Sequence, residues 1–168
     1  SKGTIRIGMV SSLVCDRALR WVADFCTKNP GINFEITEGN TYELLEQLEA
    51  GTIQFALVRT PYKRGKLEHF SIASDRMVAV GHPSFFKDEN SILLQDLAAA
   101  PLIVYRRWEA TLKAAFSERD LKPHIKLLAD DSRTVVKAAE LGLGIAVVPE
   151  SAAEIVNHHG TEIRIISD

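Results

Sequence analysis

Hydroxyl, amide and guanidinium side chains follow three successive predicted strands in the first half of the sequence. Ser11 and Ser12 follow the first strand, Asn40 and Thr41 the second, and Arg59 the third. Hydroxyls beside a helix N-terminus, together with a guanidinium, are suited to bind a carboxylate or phosphate. Each residue alone has an ordinary role as a helix cap or a surface charge. Because ligands of open α/β sheets bind beyond the carboxyl ends of the strands, we expect these residues to form one anion site.

The second half of the sequence repeats this arrangement. Asp131 and Ser132 open a predicted helix after a strand, and Arg106 and Arg107 end another strand. Ser132 is therefore a further candidate ligand contact. Either arginine could add positive charge to the site or lie in solvent.

Sequence motifs for catalysis are absent. The sequence has no G-x-S-x-G, H-E-x-x-H, G-x-G-x-x-G or C-x-x-C pattern and no Walker A loop. The segment 142–144 (Gly-Leu-Gly) follows a helix and precedes a strand, so we interpret it as a helix stop. His158 and His159 have no accompanying ligand cluster and are expected on the surface. We predict that the protein is not an enzyme and uses neither a metal nor a cofactor.

Composition is that of an ordinary globular domain. The chain has 168 residues, of which 46% are hydrophobic and 25% charged, with a net charge of −2. This balance gives no bulk attraction to nucleic acid or to anionic membranes. No apolar run approaches the roughly 20 residues of a membrane span. Cys15 and Cys26 lie in one predicted helix, too far apart for a disulfide, so we expect reduced thiols and a cytoplasmic protein.

The elements that position the candidate site can also be predicted. The stretch from Gly39 to Pro61 indicates a helix capped by Asn40 or Thr41, stopped at Gly51 and followed by a strand at 55–58 that is covered on both faces. An earlier helix, about Leu13 to Lys28, has more apolar residues than one face needs. The additional apolar residues can contact a second subunit, or all of them can belong to the core. The sequence does not distinguish these two possibilities.

The order of elements is βαβαβ, a crossover at 67–80, and then β(α)βαβαβ. This order predicts two α/β lobes, each a mostly parallel sheet flanked by helices. The junctions are crossover strands, which indicates a hinge with a cleft between the lobes. The first residues, Ser-Lys-Gly, lack an initiator Met and a signal peptide, so the chain is expected to be a fragment.

A set of ordered segments resembles the effector-binding region of the LysR-type transcriptional regulators. These segments are Ile5–Gly8 leading to Ser11 and Ser12, Asn29–Gly31, Glu38–Thr41, Leu48–Gly51 and Gly142–Pro149. The resemblance covers essentially the whole chain. It implies a two-lobed, periplasmic-binding-protein-like fold of type II, with residues 1–77 and 161–168 in lobe I and 78–160 in lobe II. The family region normally continues further, so lobe I is expected to be incomplete at its C-terminus.

The resemblance also implies a function. The chain would be the ligand-sensing domain of a bacterial transcription regulator, holding a small metabolite, often a carboxylate, between its lobes. A winged helix-turn-helix elsewhere in the protein would bind DNA, and the protein would form dimers or tetramers. The alternative is a transport-type solute-binding protein of the same fold, which would carry a secretory leader and act as a monomer. An α/β enzyme is a third reading, without a catalytic residue to support it.

The resemblance extends to individual residues. The positions of Ser12, Thr41 and Arg59 contact the ligand in members that bind dicarboxylates, which agrees with the interpretation from spacing. On the second lobe, it implies contacts near Tyr105, Arg106, Ser132, Val147 and Pro149.

Overall fold

The chain divides into two compact units, Ser1–Ser74 and Asp75–Asp168. The computed structural model describes residues 2–14, 16–63, 65–88, 90–154 and 159–167, with the backbone alone for residues 12 and 16. Each unit contains its own sheet flanked by helices. The predicted α/β class with two units is confirmed.

The first unit is a three-stranded parallel sheet with two helices. Its elements are β1 (Gly3–Val10), a 3₁₀ turn (Ser11–Leu13), α1 (Asp16–Lys28), β2 (Ile32–Gly39), α2 (Thr41–Glu49) and β3 (Phe55–Leu57). The strand order is β2-β1-β3, and β1 is parallel to both neighbours. Ser11 and Ser12, which the sequence places at the start of the first helix, lie in the 3₁₀ turn before α1.

Helix α2 forms where the sequence predicts it. The side chain of Asn40 accepts a hydrogen bond from the Glu43 amide (3.0 Å), and Glu43 accepts one from the Asn40 amide (3.1 Å), which is a capping box. At the other end, Gly51 has a φ of 72°. The Thr52 amide donates to the Gln47 carbonyl at 3.0 Å, closing the helix.

The core of the first unit lies on the α2 side of its sheet. Val10, Leu44 and Ile53 are buried there. On the opposite face, Phe55 is 61% exposed, so the expectation that β3 is covered on both faces is wrong. Among the described elements, α1 packs on this face against β2, where the Phe25 and Phe34 rings meet edge to face at 5.7 Å. The β3 side of the face is therefore left open.

The second unit begins at Asp75, within a segment, residues 58–76, whose described residues form neither helix nor strand. Its elements are β4 (Met77–Gly81), a 3₁₀ turn (Pro83–Phe85), β5 (Ser91–Leu93), α3 (Leu94–Ala98), β6 (Pro101–Tyr105), a 3₁₀ turn (Arg106–Trp108), α4 (Glu109–Ser117), β7 (His124–Ala129), α5 (Ser132–Glu140), β8 (Ile145–Pro149), α6 (Glu150–Ala153) and β9 (Glu162–Ser167). The strand order is β5-β9-β4-β8-β6-β7. Strand β4 is antiparallel to both of its neighbours, and the other pairs are parallel.

The last strand differs from the predicted division. Residues 161–168 were assigned to lobe I, but β9 pairs with β4 and β5 in the second sheet. Arg164 fixes this position, because its side chain is buried, its Nε donates to the Asp88 carbonyl at 2.7 Å, and it lies over the Phe86 ring at 4.8 Å. Its guanidinium also pairs with Glu162. The predicted order of elements lacks β5, which gives β9 its second partner.

Strand β8 carries the second unit's core on both of its faces. Ala146 and Val148 belong to the cluster beneath α5 and α6, whereas Ile145 and Val147 belong to the cluster beneath α3 and α4. All five residues of β8 are buried. This is the near-continuous apolar pattern of a strand covered on both sides.

Two glycines explain the segment before β8. Gly142 has a φ of 80°, and its amide donates to the Ala139 carbonyl, so the predicted helix stop is confirmed. Gly144 packs against backbone, because a Cβ added there would lie 2.2 Å from the carbonyl oxygen of Pro101. No side chain fits at that distance unless β6 and β8 separate.

We predict that Gly144→Ala lowers the free energy of unfolding of the second unit by about 3 kcal/mol, because the added methyl meets backbone that cannot rotate away. Urea titration followed by circular dichroism measures the change. Gly3→Ala is the matched control, since among the described residues, apart from its two chain neighbours, none has an atom within 4 Å of a Cβ added at Gly3. Equal stability of the two variants would contradict the packing assigned to Gly144.

Candidate functional site

The carboxyl ends of the three strands in the first sheet lie at one edge. Val10 pairs with Gly39, and Met9 pairs with Leu57. Ser11 and Asn40 therefore start the next elements at the same level, and Arg59 follows β3 by two residues. The structure thus brings the first-unit candidates to a common sheet edge, as their spacing predicts.

Thr41 is the first residue of α2 and is 1% exposed. It heads the helix face that also buries Leu44. Its Oγ1 is buried, and none of the residues that the structure describes gives it a hydrogen-bond partner. A buried hydroxyl without a hydrogen-bond partner lowers the stability of the folded state by about 1–3 kcal/mol, so its presence calls for an explanation. The positive end of the helix dipole makes this hydroxyl part of an environment suited to an anion.

Arg59 is buried, with 6% of its surface exposed. Arginine is rarely this buried, and its planar guanidinium presents donors that match a carboxylate in a bidentate arrangement. At this depth, a bound carboxylate would be screened little by solvent.

The other candidate residues of the first unit differ in the hydrogen bonding and burial of their side chains. The Asn40 side-chain oxygen accepts the Glu43 amide and so serves the α2 cap. Ser11 is half-buried in the 3₁₀ turn, and the side chain of Ser12 lies outside the described part of the chain. Thr41 and Arg59 are the candidates with buried side chains at this edge.

The second sheet also has an edge where parallel strands end together. Strands β6, β7 and β8 are parallel neighbours, and Tyr105 at the end of β6 pairs with Ala129 at the end of β7. Beyond this pair, the Arg106 Nε donates to the Asp130 carboxylate at 2.6 Å. Tyr105 is 7% exposed, whereas Arg106 is exposed.

Ser132 repeats the position of Thr41 in the second unit. It is the first residue of α5, is 1% exposed and heads the face that buries Val135, Val136 and Ala139. Within the described chain, its buried Oγ has no hydrogen-bond partner. The N-cap residue is Asp131, whose side chain accepts the Arg133 amide at 2.8 Å.

Asp131 is also held by the side chain of Arg133, whose Nη2 lies 2.7 Å from a carboxylate oxygen. The hydrogen bond from this guanidinium, aided by the backbone bond, lowers the pKa of Asp131 below its usual value. The carboxylate is therefore ionised at neutral pH and balances the charge of Arg133.

Val147 and Pro149, which were expected to contact a ligand, have other structural roles. Val147 is fully buried in the cluster with Leu102 and Phe116, and its strand is paired on both sides, so its side chain serves the core. Pro149 ends β8, pairs with Met77 and precedes α6. The spacing of an apolar strand does not distinguish a ligand contact from a core residue, which explains this difference for Val147.

Trp108 was not singled out from the sequence. It ends the 3₁₀ turn after β6 and packs against the cluster beneath α5. Its Nε1 is buried and has no hydrogen-bond partner among the described residues. No sequence motif signals such a residue, because its role depends on the turn that brings the ring back over the core.

Chemically, the two edges offer hydroxyls, helix N-termini and guanidinium groups, which bind anions. Within the described ranges, no group of three or more His, Cys, Asp or Glu residues could hold a metal ion. Cys26 is a free, half-buried thiol, and His159 is exposed, while Cys15 and His158 lie outside the described residues. No helix in the described ranges is long and apolar enough to cross a membrane.

Known proteins with similar sequences and folds share one architecture. A family model described as the LysR substrate binding domain matches residues 1–168. The HTH-type transcriptional regulator CzcR of Bacillus subtilis is 23% identical over 153 residues, which cover 89% of this chain and 50% of CzcR. The chain spans about half the length of the curated relatives it matches.

Solved structures agree with this match. The effector-binding domain of QuiR in complex with shikimate has a TM-score of 0.82 and 20% identity, covering 100% of this chain and 82% of that one. The effector-binding domain of BenM with its effector benzoate has a TM-score of 0.84 and 21% identity, covering 100% of this chain and 79% of that one. The predicted type II binding-protein-like fold class is thereby confirmed.

The family consists of transcriptional regulators rather than enzymes, in agreement with the prediction from the absence of catalytic motifs. Its model matches this sequence from the first residue to the last. The chain therefore belongs to the LysR substrate-binding domain family.

Proposed function

We propose that this domain binds a small anionic metabolite, most simply a carboxylate, through Thr41 and Arg59 of the first unit. The observation that carries the proposal is the Thr41 hydroxyl, which is buried at the start of α2 and has no partner among the described residues. A carboxylate oxygen accepting from this hydroxyl would satisfy it and would also meet the helix N-terminus. Arg59 would supply the opposite charge.

We further propose Ser132 as a ligand-binding residue of the second unit, considered by itself. Its environment matches that of Thr41, since both hydroxyls are buried at the first position of a nine-residue helix. Ser11, Ser12, Tyr105, Arg106 and Pro149 remain proposed ligand contacts because they lie at or just beyond the ends of parallel strands. Val147 and Asn40 are weaker candidates, since their side chains serve the core and the cap.

The known ligands of similar domains support an acidic effector. QuiR was solved with shikimate and BenM with benzoate, and each of these molecules carries one carboxylate. Identity to both domains is near one fifth, so the particular effector is not transferred from them. The shared chemistry supports the choice of a carboxylate as the first class of compound to test.

For the whole protein, we propose a DNA-binding transcription regulator in the cytoplasm. The relatives are HTH-type regulators, and this chain matches about half of their length, so DNA would be bound by a winged helix-turn-helix in the other half. Effector binding would favour one of two conformations of the sensing domain. That change would alter how a dimer or tetramer presents its DNA-binding domains.

We also propose that α1 contributes to the subunit contact. Its Leu19, Trp21 and Phe25 are 42–45% exposed, so the alternative in which all apolar residues of this helix are core does not hold for these three. Ile36 on the neighbouring β2 is 38% exposed. Exposed apolar side chains on two neighbouring elements support a subunit interface on this side of the first unit.

Arg59→Ala is expected to weaken the binding of benzoate or shikimate by about 2–5 kcal/mol, because the buried charge pair is lost. Isothermal titration calorimetry measures the change. Arg6→Ala is the control, since Arg6 belongs to the same sheet but forms an exposed pair with Glu35. An unchanged affinity in Arg59→Ala would remove Arg59 from the site. If no carboxylate in a thermal-shift panel stabilised the wild-type domain, the acidic-effector proposal would be wrong.

Thr41→Val is expected to weaken carboxylate binding by about 1–3 kcal/mol while leaving the ligand-free domain equally or more stable. The reason is that valine keeps the shape of threonine and removes a buried hydroxyl that lacks a described partner. Thr52→Val is the matched control, because the Thr52 hydroxyl donates to the Gln47 carbonyl at 3.0 Å. The control should lose stability and keep its affinity. A Thr41→Val protein that is destabilised without ligand and binds normally would show a structural role for this hydroxyl.

Trp21→Glu is expected to raise the dimer dissociation constant by at least about 30-fold, as for an aromatic residue at the centre of an interface. Sedimentation equilibrium measures the constant. Tyr42→Glu is the control, since Tyr42 is an aromatic residue of α2 that is 62% exposed. Dimerisation of Trp21→Glu with the wild-type constant, or a wild-type protein that remains monomeric, would exclude α1 from the contact.

A further inference from the structure

We infer that Asp75 and Arg76 form a clamp with Glu150 and Ser151 of α6, and that this clamp sets where the chain bends between the two units. The clamp makes the first residues of the second unit one rigid piece with the junction of β8 and α6. The bend then lies before Asp75, in residues 68–74. The inference concerns the place of a conformational change, so it goes beyond effector binding and does not depend on which effector is bound.

Helix α6 takes its cap from a distant residue because its own N-cap residue is Pro149. The proline side chain has no acceptor to offer the first amides of the helix. The Asp75 carboxylate, 76 residues earlier in the chain, accepts the Ser151 amide at 3.2 Å and the Ser151 hydroxyl at 2.5 Å. The N-terminus of α6 is thereby attached to the residues that precede β4.

Arg76 adds a second attachment beside the first. Its guanidinium is bidentate on the Glu150 carboxylate, with Nε and Nη2 each 2.8 Å from one of the two oxygens. A bidentate pair fixes the orientation of both groups as well as their distance. The Arg76 carbonyl also accepts the Glu150 amide at 2.9 Å. Both the backbone and the side chain of Glu150 are therefore held by this one residue.

The clamp continues the register of β4 and β8. Met77 and Pro149 are the pair at the end of this antiparallel ladder. The next two pairs in the same register are the two pairs of the clamp, although β8 has already ended. Helix α6 is itself fixed to the second unit, because Ala152 and Ala153 are fully buried in its core. The residues just before β4 are therefore held together with that strand.

The segment before the clamp lacks attachments of this kind. Residues 68–74 are exposed and belong to neither a helix nor a strand. Phe70 is 88% exposed and Ile72 is 58% exposed, so these apolar side chains pack little on the described chain. Exposed backbone outside a regular ladder changes conformation more easily than paired backbone does. The boundary between held and movable chain therefore falls at Asp75.

Hydrogen exchange followed by NMR tests the clamp. Asp75→Ala is expected to speed the exchange of the Ser151 amide about tenfold, as for the loss of a helix cap, while amides in β6 keep their wild-type rates. Asp96→Ala is the matched control, because it removes a carboxylate of the same unit that pairs with Lys87 at 2.7 Å. The control should leave the exchange of the Ser151 amide unchanged.

Residual dipolar couplings test the place of the bend. In the wild-type protein, the N–H couplings of Arg76 and Met77 are expected to fit the alignment tensor of β6 and β8, whereas those of residues 70–73 should not. When Asp75→Ala and Glu150→Gln are combined, the Arg76 coupling should no longer fit. Glu150→Gln alone should keep the wild-type melting temperature, since an exposed ion pair adds little to global stability.

Three results would overturn the inference. One is a wild-type Arg76 coupling that does not fit the second unit, which is measured without any variant. Another is an Asp75→Ala protein whose Ser151 amide exchanges at the wild-type rate. The third is an equal acceleration of all amides of the second unit in Asp75→Ala, which would show a global loss of stability only. None of these results bears on the proposed function, which the Arg59→Ala titration tests separately.

Discussion

Helices α2 and α5 each begin with a buried hydroxyl residue at the end of a parallel strand, and the candidate site depends on this arrangement. A helix that packs its apolar face on a sheet must bury its first turn near the strand end, where backbone N–H groups have no partners within the helix. Thr41 and Ser132 add a hydroxyl at that point, each 1% exposed. Neither oxygen has a hydrogen-bond partner among the described residues.

The surrounding charges are arranged differently in the two units. In the first unit, Arg59 is buried beside the end of β3. In the second, Arg106 and Arg133 are exposed and each pairs with a neighbouring carboxylate. The side chain of Asp131 both caps α5 and holds Arg133, which fixes the carboxylate in its ionised form.

Local sequence signals allowed the helix ends and the residues at the strand ends to be predicted. The capping box of Asn40 and the glycines at 51 and 142 act through their nearest neighbours, so their effects can be read from the sequence. The ends of parallel strands follow from topology, which is why Thr41, Arg59 and Ser132 could be proposed as neighbours of a ligand. Long-range packing could not be predicted in the same way. The burial of Val147, the exposure of Phe55, the pairing of β9 with β5 and the return of the Trp108 ring over the core depend on residues distant in sequence.

The burial of Arg164 bears on how the second sheet behaves in concentrated salt. Dissolved ions screen exposed charges such as the Arg6–Glu35 pair, but they reach a guanidinium that is 8% exposed much less. The contacts of Arg164 with the Asp88 carbonyl and the Phe86 ring also need no ionised partner. These two contacts should therefore hold β9 with little dependence on ionic strength, whereas the pair of Arg164 with Glu162, whose side chain is 45% exposed, weakens as salt is added.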